Sequence, residues 1–256
     1  MQNILAIWQR EMKSYFVSPI AYVVLTVFLF LSGLFFFGNL TEVVQYTMTQ
    51  AQMGQGVAPI DVPAYVIQSL FRTTSVILLF LAPMLTMGLF SEEKKRGTIE
   101  LLLTTPVGNC QALLGKYFAS VTFLLILFAS SGVTISALFI YSRPDWKPIL
   151  AGYLGMFLYG AALLALGLFI STLTENQIVA VVVTFGASLV LWLISVFSAS
   201  AVGATKDVIN YMSVISHLDD FLKGVIDTSH VIYYVTFAFV GLFLAYRSLE
   251  SMRWKG

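Results

Sequence analysis

Six stretches of this chain contain no Asp, Glu, Lys, Arg or His. Most of them are long enough to cross a bilayer as a helix, which takes about 20 apolar residues. Only 11% of the residues are charged and 58% are hydrophobic, which is too little polar surface for a water-soluble globule. We therefore predict an all-α integral membrane protein with six transmembrane helices, at residues 20–37, 73–90, 117–141, 149–170, 178–199 and 231–246.

The segments between the spans are of three kinds. Apolar and charged side chains alternate near helical spacing over residues 3–17. This pattern predicts an N-terminal elbow helix that lies along the membrane interface. Residues 38–64 predict a polar loop. Residues 202–229 are too polar to cross a membrane and too apolar for a free loop, so they predict an outer hairpin of two short helices before the last span.

The distribution of Lys and Arg predicts the orientation of the chain. Six spans leave both termini on one side, and nine of the 14 basic residues lie on that side against five on the other. Basic residues favour the cytoplasm. Both termini and residues 91–106 are therefore expected to be cytoplasmic.

Residues 91–106 form the densest charge cluster, between the second and third spans. Ser91 is predicted to cap a helix start, and Gly97 allows a break. Beyond the break, Ile99, Leu102 and Leu103 fall on one face of a short helix that Pro106 ends. Two interpretations stay open at this point, a docking element for a cytoplasmic partner or a solvated anchor that fixes topology.

Span four contains four glycines, which predict the close approach of another helix. They are Gly152, Gly155, Gly160 and Gly167.

Several chemistries have no support in the residues. Proton-driven carriers need titratable groups within the membrane, and the six predicted spans contain none. The only Gly-Lys pair, Gly115-Lys116, is followed by Tyr117 where a P-loop needs Ser or Thr, so ATP is expected to be bound by another chain. A net charge of +1 gives no reason to expect a nucleic-acid partner.

The residues bear on three other classes of function. An intramembrane hydrolase needs a base within the bilayer, but both histidines, His217 and His230, are predicted at the outer face. A metal site at His217, Asp219 and Asp220 is less favoured than a solvated helix face. A passive membrane scaffold fits the residues as well as a transporter does.

The motif at residues 92–107, Glu-Glu-Lys-Lys-Arg-Gly-Thr-Ile-Glu-Leu-Leu-Leu-Thr-Thr-Pro-Val, resembles the cytoplasmic coupling segment of ABC-2 type transporter permeases. Arg10-Glu11 is similar to a pair in the elbow helix of that family. Residues 167–177 resemble its inner turn between spans four and five. Residues 216–227 and the ending Arg253-Trp254 resemble its gliding-motility type branch.

The resemblance implies a non-catalytic permease subunit without cofactors, located in the inner membrane. It implies two copies of an ABC ATPase as partners, a second permease subunit that is identical or related, and contact with membrane lipid. It leaves room for an extracytoplasmic auxiliary protein. The expected work is export of a cargo with energy from the ATPase; the alternative is a scaffold or force-transmitting subunit that moves no cargo.

Two sets of candidate site residues follow, the first from the resemblance and the second from the outer hairpin. The first set would dock the ATPase and comprises Glu92, Glu93, Lys94, Arg96, Gly97, Thr98, Ile99, Glu100, Leu101 and Leu102. Glu92, Glu93 and Arg96 would supply the charge pairing in that set. The second set would form an outer gate or partner contact and comprises His217, Asp220, Phe221, Lys223, Gly224 and Asp227. A simple cap over the helical bundle is the alternative for this second set.

Overall fold

The computed structural model describes residues 2–53, 61–98, 108–141, 144–198 and 204–253. All regular secondary structure within these ranges is helical. The helices in chain order are α1 (Gln2–Val17), α2 (Pro19–Gln52), α3 (Val62–Thr86), α4 (Gly88–Lys95), α5 (Asn109–Tyr141), α6 (Trp146–Leu173), α7 (Gln177–Ser198), α8 (Ala204–Met212), α9 (Leu218–Leu222) and α10 (Thr228–Arg253).

The prediction of six membrane spans is confirmed. Among the described residues, six helical stretches are long and apolar enough to cross a bilayer, and each overlaps one predicted span. They are Ala21–Gln52, Val62–Lys95, Asn109–Ile140, Trp146–Leu173, Gln177–Phe197 and Thr228–Met252.

The central helix of the bundle is α6, which packs against α3, α4, α5, α7, α9 and α10. Its glycines receive side chains from different neighbours, so the predicted close approach is confirmed. A Cβ built on any of the four would lie less than 3.0 Å from a neighbouring side chain. The contacts are Phe71 of α3 at Gly152, Phe221 of α9 at Gly155, Leu124 of α5 at Gly160 and Thr86 of α3 at Gly167.

The predicted loop at residues 38–64 is wrong over its first part, because α2 continues to Gln52. Polar residues fit the helix here since their side chains find partners on it or beside it. The Thr41 and Thr47 hydroxyls donate to carbonyls three and four residues earlier. The Ser69 hydroxyl of α3 donates to the Asn39 side chain at 3.0 Å. Apolar length therefore underestimates the length of this helix.

The loops and short helices fall at two ends of the bundle. The first, called the α4 end, holds α1, α4, the start of α5 and the turn between α6 and α7. The second, called the α9 end, holds α8, α9 and the start of α10. The described members of the two predicted sets of site residues lie at these opposite ends.

Candidate functional site

The first turn of α4 is capped by a side chain from another helix. The Ser171 hydroxyl of α6 accepts hydrogen bonds from the backbone N–H groups of Phe90 at 3.1 Å and Ser91 at 3.2 Å, and it donates to the Met87 carbonyl at 3.1 Å. N–H groups in the first turn of a helix have no partner within that helix, and buried ones need a partner elsewhere. Ser171 therefore ties α4 to α6.

The predicted role of Ser91 as the helix cap is wrong. Ser91 lies inside α4, and its hydroxyl donates to the carbonyl of Met87, one turn earlier. A serine in the sequence Phe-Ser-Glu-Glu suggests a helix start, but here the helix has already begun at Gly88. The side chain is fully buried, so it bonds back onto its own helix.

The predicted break at Gly97 is present. Gly97 has a φ of +67°, the left-handed conformation that ends many helices, and its N–H donates to the Lys94 carbonyl at 3.0 Å. The Thr98 hydroxyl donates to the Glu93 carbonyl at 3.3 Å. The turn after α4 is thereby folded back on the helix. Ile99, Glu100, Leu101 and Leu102 lie outside the described residues.

A buried ion network joins α4 to two other helices. The Lys116 ammonium of α5 lies 2.8 Å from Glu93 Oε1 and 3.1 Å from Glu11 Oε1 of α1, and Arg10 Nη2 lies 3.1 Å from the same Glu93 oxygen. The Lys116 side chain is only 3% exposed. Its charge is balanced by two carboxylates, as a buried ammonium requires. The network holds α1, α4 and α5 together.

Residues of the first predicted set therefore divide by exposure. Glu93 belongs to the buried network, and Lys94 donates to the Thr172 carbonyl at the end of α6. Glu92 and Arg96 pair with each other at the surface. Of the three charges expected to pair with a partner, two thus face solvent and the third is already paired inside the protein.

At the α9 end, Phe221 and Gly224 have packing roles. Phe221 is fully buried, with its side chain against Gly155 of α6. Gly224 has a φ of +86°, and a Cβ there would meet Pro148 at 3.0 Å. These two residues seat α9 on α6.

The acidic residues at the α9 end are paired locally. Asp220 accepts from His230 at 3.0 Å and from Lys223 at 3.2 Å, and these two hydrogen bonds lower the pKa of its carboxyl group. Asp227 accepts from the backbone N–H and the hydroxyl of Ser229, both at 2.8 Å, which lowers the pKa of Asp227. Asp227 thus caps the start of α10.

The metal hypothesis at His217, Asp219 and Asp220 has no support in the geometry. Asp219 pairs with Arg72 of α3 at 2.9 Å, whereas His217 bonds to His230 and to the Tyr211 carbonyl. Within the described ranges no group of three or more His, Cys, Asp or Glu side chains could hold a metal ion.

Sequence reasoning placed Lys116 and Glu11 on the same side as residues 91–106 but did not predict that they, or Ser171, join the site at α4. Lys116 did carry a signal, because its neighbours one helical turn away are apolar or small: Ala112, Leu113, Ala119 and Ser120. A lysine on that face is buried and needs an acidic partner. Ser171 carried no signal, since most serines in apolar helices bond to their own backbone.

Comparison with known proteins places this arrangement in a family. The family described as "ABC-2 family transporter protein" matches residues 5–247, which is nearly the whole chain. No curated protein matches the chain. Members of this family are generally non-catalytic membrane subunits that work with an ABC ATPase, usually as dimers. The match covers nearly the whole chain, and the described residues include six helices long and apolar enough to cross a membrane. The chain therefore belongs to the ABC-2 transporter family, as a membrane permease subunit of an ABC transporter.

Proposed function

We propose that the chain is half of an exporter of the gliding-motility type branch. Two copies, or one copy and a related permease, would assemble with two copies of an ABC ATPase in the inner membrane. The α4 end would face the cytoplasm and receive the ATPases, which bind and hydrolyse ATP. The cargo would leave the cytoplasm at the α9 end.

The observation that carries this proposal is the attachment of α4 to three other helices. Ser171 and the Thr172 carbonyl bind it to α6, and the Lys116 network binds it to α1 and α5. A force applied to α4 therefore acts on α6, the centre of the bundle. A loop that only connected two spans would need no such anchoring.

The exposed side of the α4 end supplies a charged surface for the partner. Glu92, Lys95, Arg96 and Thr98 are at least partly exposed there, and the segment that continues through residues 99–102 would add the apolar contact. Mixed charges at an interface favour correct partners and a correct register. Arg96 is the best single residue to test because its side chain is 70% exposed.

The test is charge reversal at Arg96 with a matched control. Arg96→Glu should reduce co-purification of the ATPase at least about tenfold, the effect of roughly 1.4 kcal/mol. The control is Arg247→Glu. Arg247 lies on α10 and not on α4, and like Arg96 it is exposed and pairs with a glutamate of its own helix, Glu250. Equal ATPase recovery from both variants and the wild type would contradict docking at this surface.

A subunit that transmits force without moving cargo would bind the ATPase in the same way. Inverted vesicles that hold the reconstituted complex separate the two functions. An exporter should move cellular lipids or lipid-linked compounds into the vesicle lumen in an ATP-dependent manner, as detected by mass spectrometry. ATP hydrolysis without any such movement would favour the force-transmitting alternative.

A further inference from the structure

Both histidines of the chain, His217 and His230, meet at the α9 end in a continuous chain of hydrogen bonds. His217 Nε2 lies 3.0 Å from the Tyr211 carbonyl at the end of α8. The two Nδ1 atoms lie 2.7 Å apart, and His230 Nε2 lies 3.0 Å from Asp220 Oδ2. This chain connects α8, α9 and α10, and we call it the histidine clasp.

The acceptors at the two ends of the clasp determine how many protons it holds. A backbone carbonyl can only accept, so His217 Nε2 must carry a hydrogen. The Asp220 carboxylate also only accepts, so His230 Nε2 must carry one. A third hydrogen must lie between the two Nδ1 atoms. Two neutral imidazoles supply only two of these three hydrogens, so the complete clasp holds one additional proton and one positive charge.

Adding a second proton is incompatible with the clasp. Both Nδ1 atoms would then be N–H donors 2.7 Å apart with no acceptor between them, on two positively charged rings. Removing the additional proton leaves one of the three contacts without a hydrogen. The observed geometry therefore belongs to the singly protonated pair.

The surroundings oppose a second charge on the pair. The His217 ring is buried and stacks on Tyr233 with the ring centres 3.9 Å apart. Burial lowers the pKa of His217 below its ordinary value of 6.5, and His230 lowers it further. The other titratable or charged groups around the pair are Asp220, Lys223, Asp227, the Asp219–Arg72 pair, Tyr211 and Tyr234.

We propose that the histidine clasp is a pH-sensitive latch. It holds α8 on α10 when the two rings share one additional proton, and it releases α8 when a second additional proton binds. Acidification of the compartment at the α9 end would open the latch. Because the folded state resists the second protonation, opening is expected as the pH falls through the lowered pKa of His217. The movable part is α8, whose Val208, Tyr211 and Met212 are already exposed.

The first test uses the wild-type protein in nanodiscs, with isotope-labelled histidine. The chain has two histidines, so only two ring signals appear. In a titration from alkaline to acidic pH we expect a nitrogen–nitrogen scalar coupling across the Nδ1–H···Nδ1 hydrogen bond while the pair holds one additional proton, and this coupling should disappear on further acidification while the protein stays folded. Two rings that titrate independently, without such coupling at any pH, would overturn the proposal.

The second test measures the movement of α8 directly. Spin labels at Val208→Cys and Ile226→Cys, both exposed positions, in a Cys110→Ser background should give one distance while the clasp is intact. A second, longer distance should appear between about pH 6.5 and pH 4, the range below the ordinary histidine pKa. A distance that does not change over this range would contradict the release of α8.

A matched pair of variants links the movement to the clasp. In His230→Asn the side-chain amide can donate to a neutral His217 ring or accept from a protonated one. The distance between the two spin labels should therefore not respond to pH. Asp145→Asn is the control. The Asp145 carboxylate is not part of the clasp and accepts from the Lys147 N–H, so this variant should keep the pH response of the wild-type label distance. If the pH response persists in His230→Asn, a group other than the histidine clasp causes it. These structural readouts do not depend on the ATPase or on any cargo.

Discussion

The ammonium group of Lys116 has to be neutralised where it lies, because its side chain is 3% exposed. Glu93 and Glu11 perform this role, and the Phe90 ring lies 5.2 Å from the ammonium nitrogen. Glu93 Oε2 is buried and has no hydrogen-bond partner in the described part of the chain. The carboxylates therefore depend on Lys116 as much as Lys116 depends on them.

Lys116→Met should destabilise the protein by about 3–5 kcal/mol, since it leaves the largely buried carboxylates of Glu11 and Glu93 with only the exposed Arg10 as a cation. Arg10→Met is the matched control. Arg10 contacts the same carboxylates, but its side chain is 65% exposed, so its loss should cost no more than about 1 kcal/mol. Unfolding midpoints in detergent compare the two variants. Equal losses of stability in the two variants would show that the burial of Lys116 does not increase the cost of removing its charge.

At the scale of the elements, Gly167 is the glycine of α6 at which an added Cβ would lie nearest a side chain of α3. A Cβ at this position would lie 2.1 Å from Thr86 Oγ1 and 2.9 Å from Thr86 Cβ. Neither atom is the far end of a flexible side chain, so the two helices would have to separate. Four residues further along α6, Ser171 caps α4, so the separation would also disturb the site.

Gly167→Ala should therefore cost about 1–3 kcal/mol through overpacking, even though alanine favours helices. Gly186→Ala in α7 is the control, because a Cβ there meets nothing within 4 Å, and it should be neutral or stabilising by up to about 1 kcal/mol. Thermal unfolding measures both. Adding Thr86→Ala should recover part of the loss; no recovery would place the strain elsewhere.

At the scale of the whole molecule, the two ends of the bundle differ in their charge. The predicted excess of Lys and Arg at the α4 end would orient it toward the cytoplasm. The apolar faces of α2, α7 and α10 are largely exposed in the single chain. Such faces are suited to contact with lipid or with a second permease subunit.

The single cysteine, Cys110, is exposed at the α4 end and can report this orientation. A membrane-impermeant maleimide should leave it unlabelled in spheroplasts and label it in inverted membrane vesicles. The control is Val225→Cys in a Cys110→Ser background, which places an exposed thiol at the α9 end and should give the opposite pattern. Labelling of Cys110 in intact spheroplasts would reverse the proposed topology.

The sequence alone determined the fold class and the six spans. The exclusion of charge from hydrocarbon acts on each residue separately, so apolar runs such as residues 149–170 are visible without a structure. The break at Gly97 and the close packing at Gly167 were equally local predictions, because each depends on the absence of a side chain at that position.

The tertiary structure alone decided which polar residues meet. Glu11, Glu93 and Lys116 come from three helices, and no spacing along the chain predicts their contact. The same holds for Ser171, which caps a helix some 80 residues earlier, and for the contact between His217 and His230. Hydrophobic burial depends on the composition of each segment, whereas an ion pair or a shared proton depends on distances that exist only after the helices have packed.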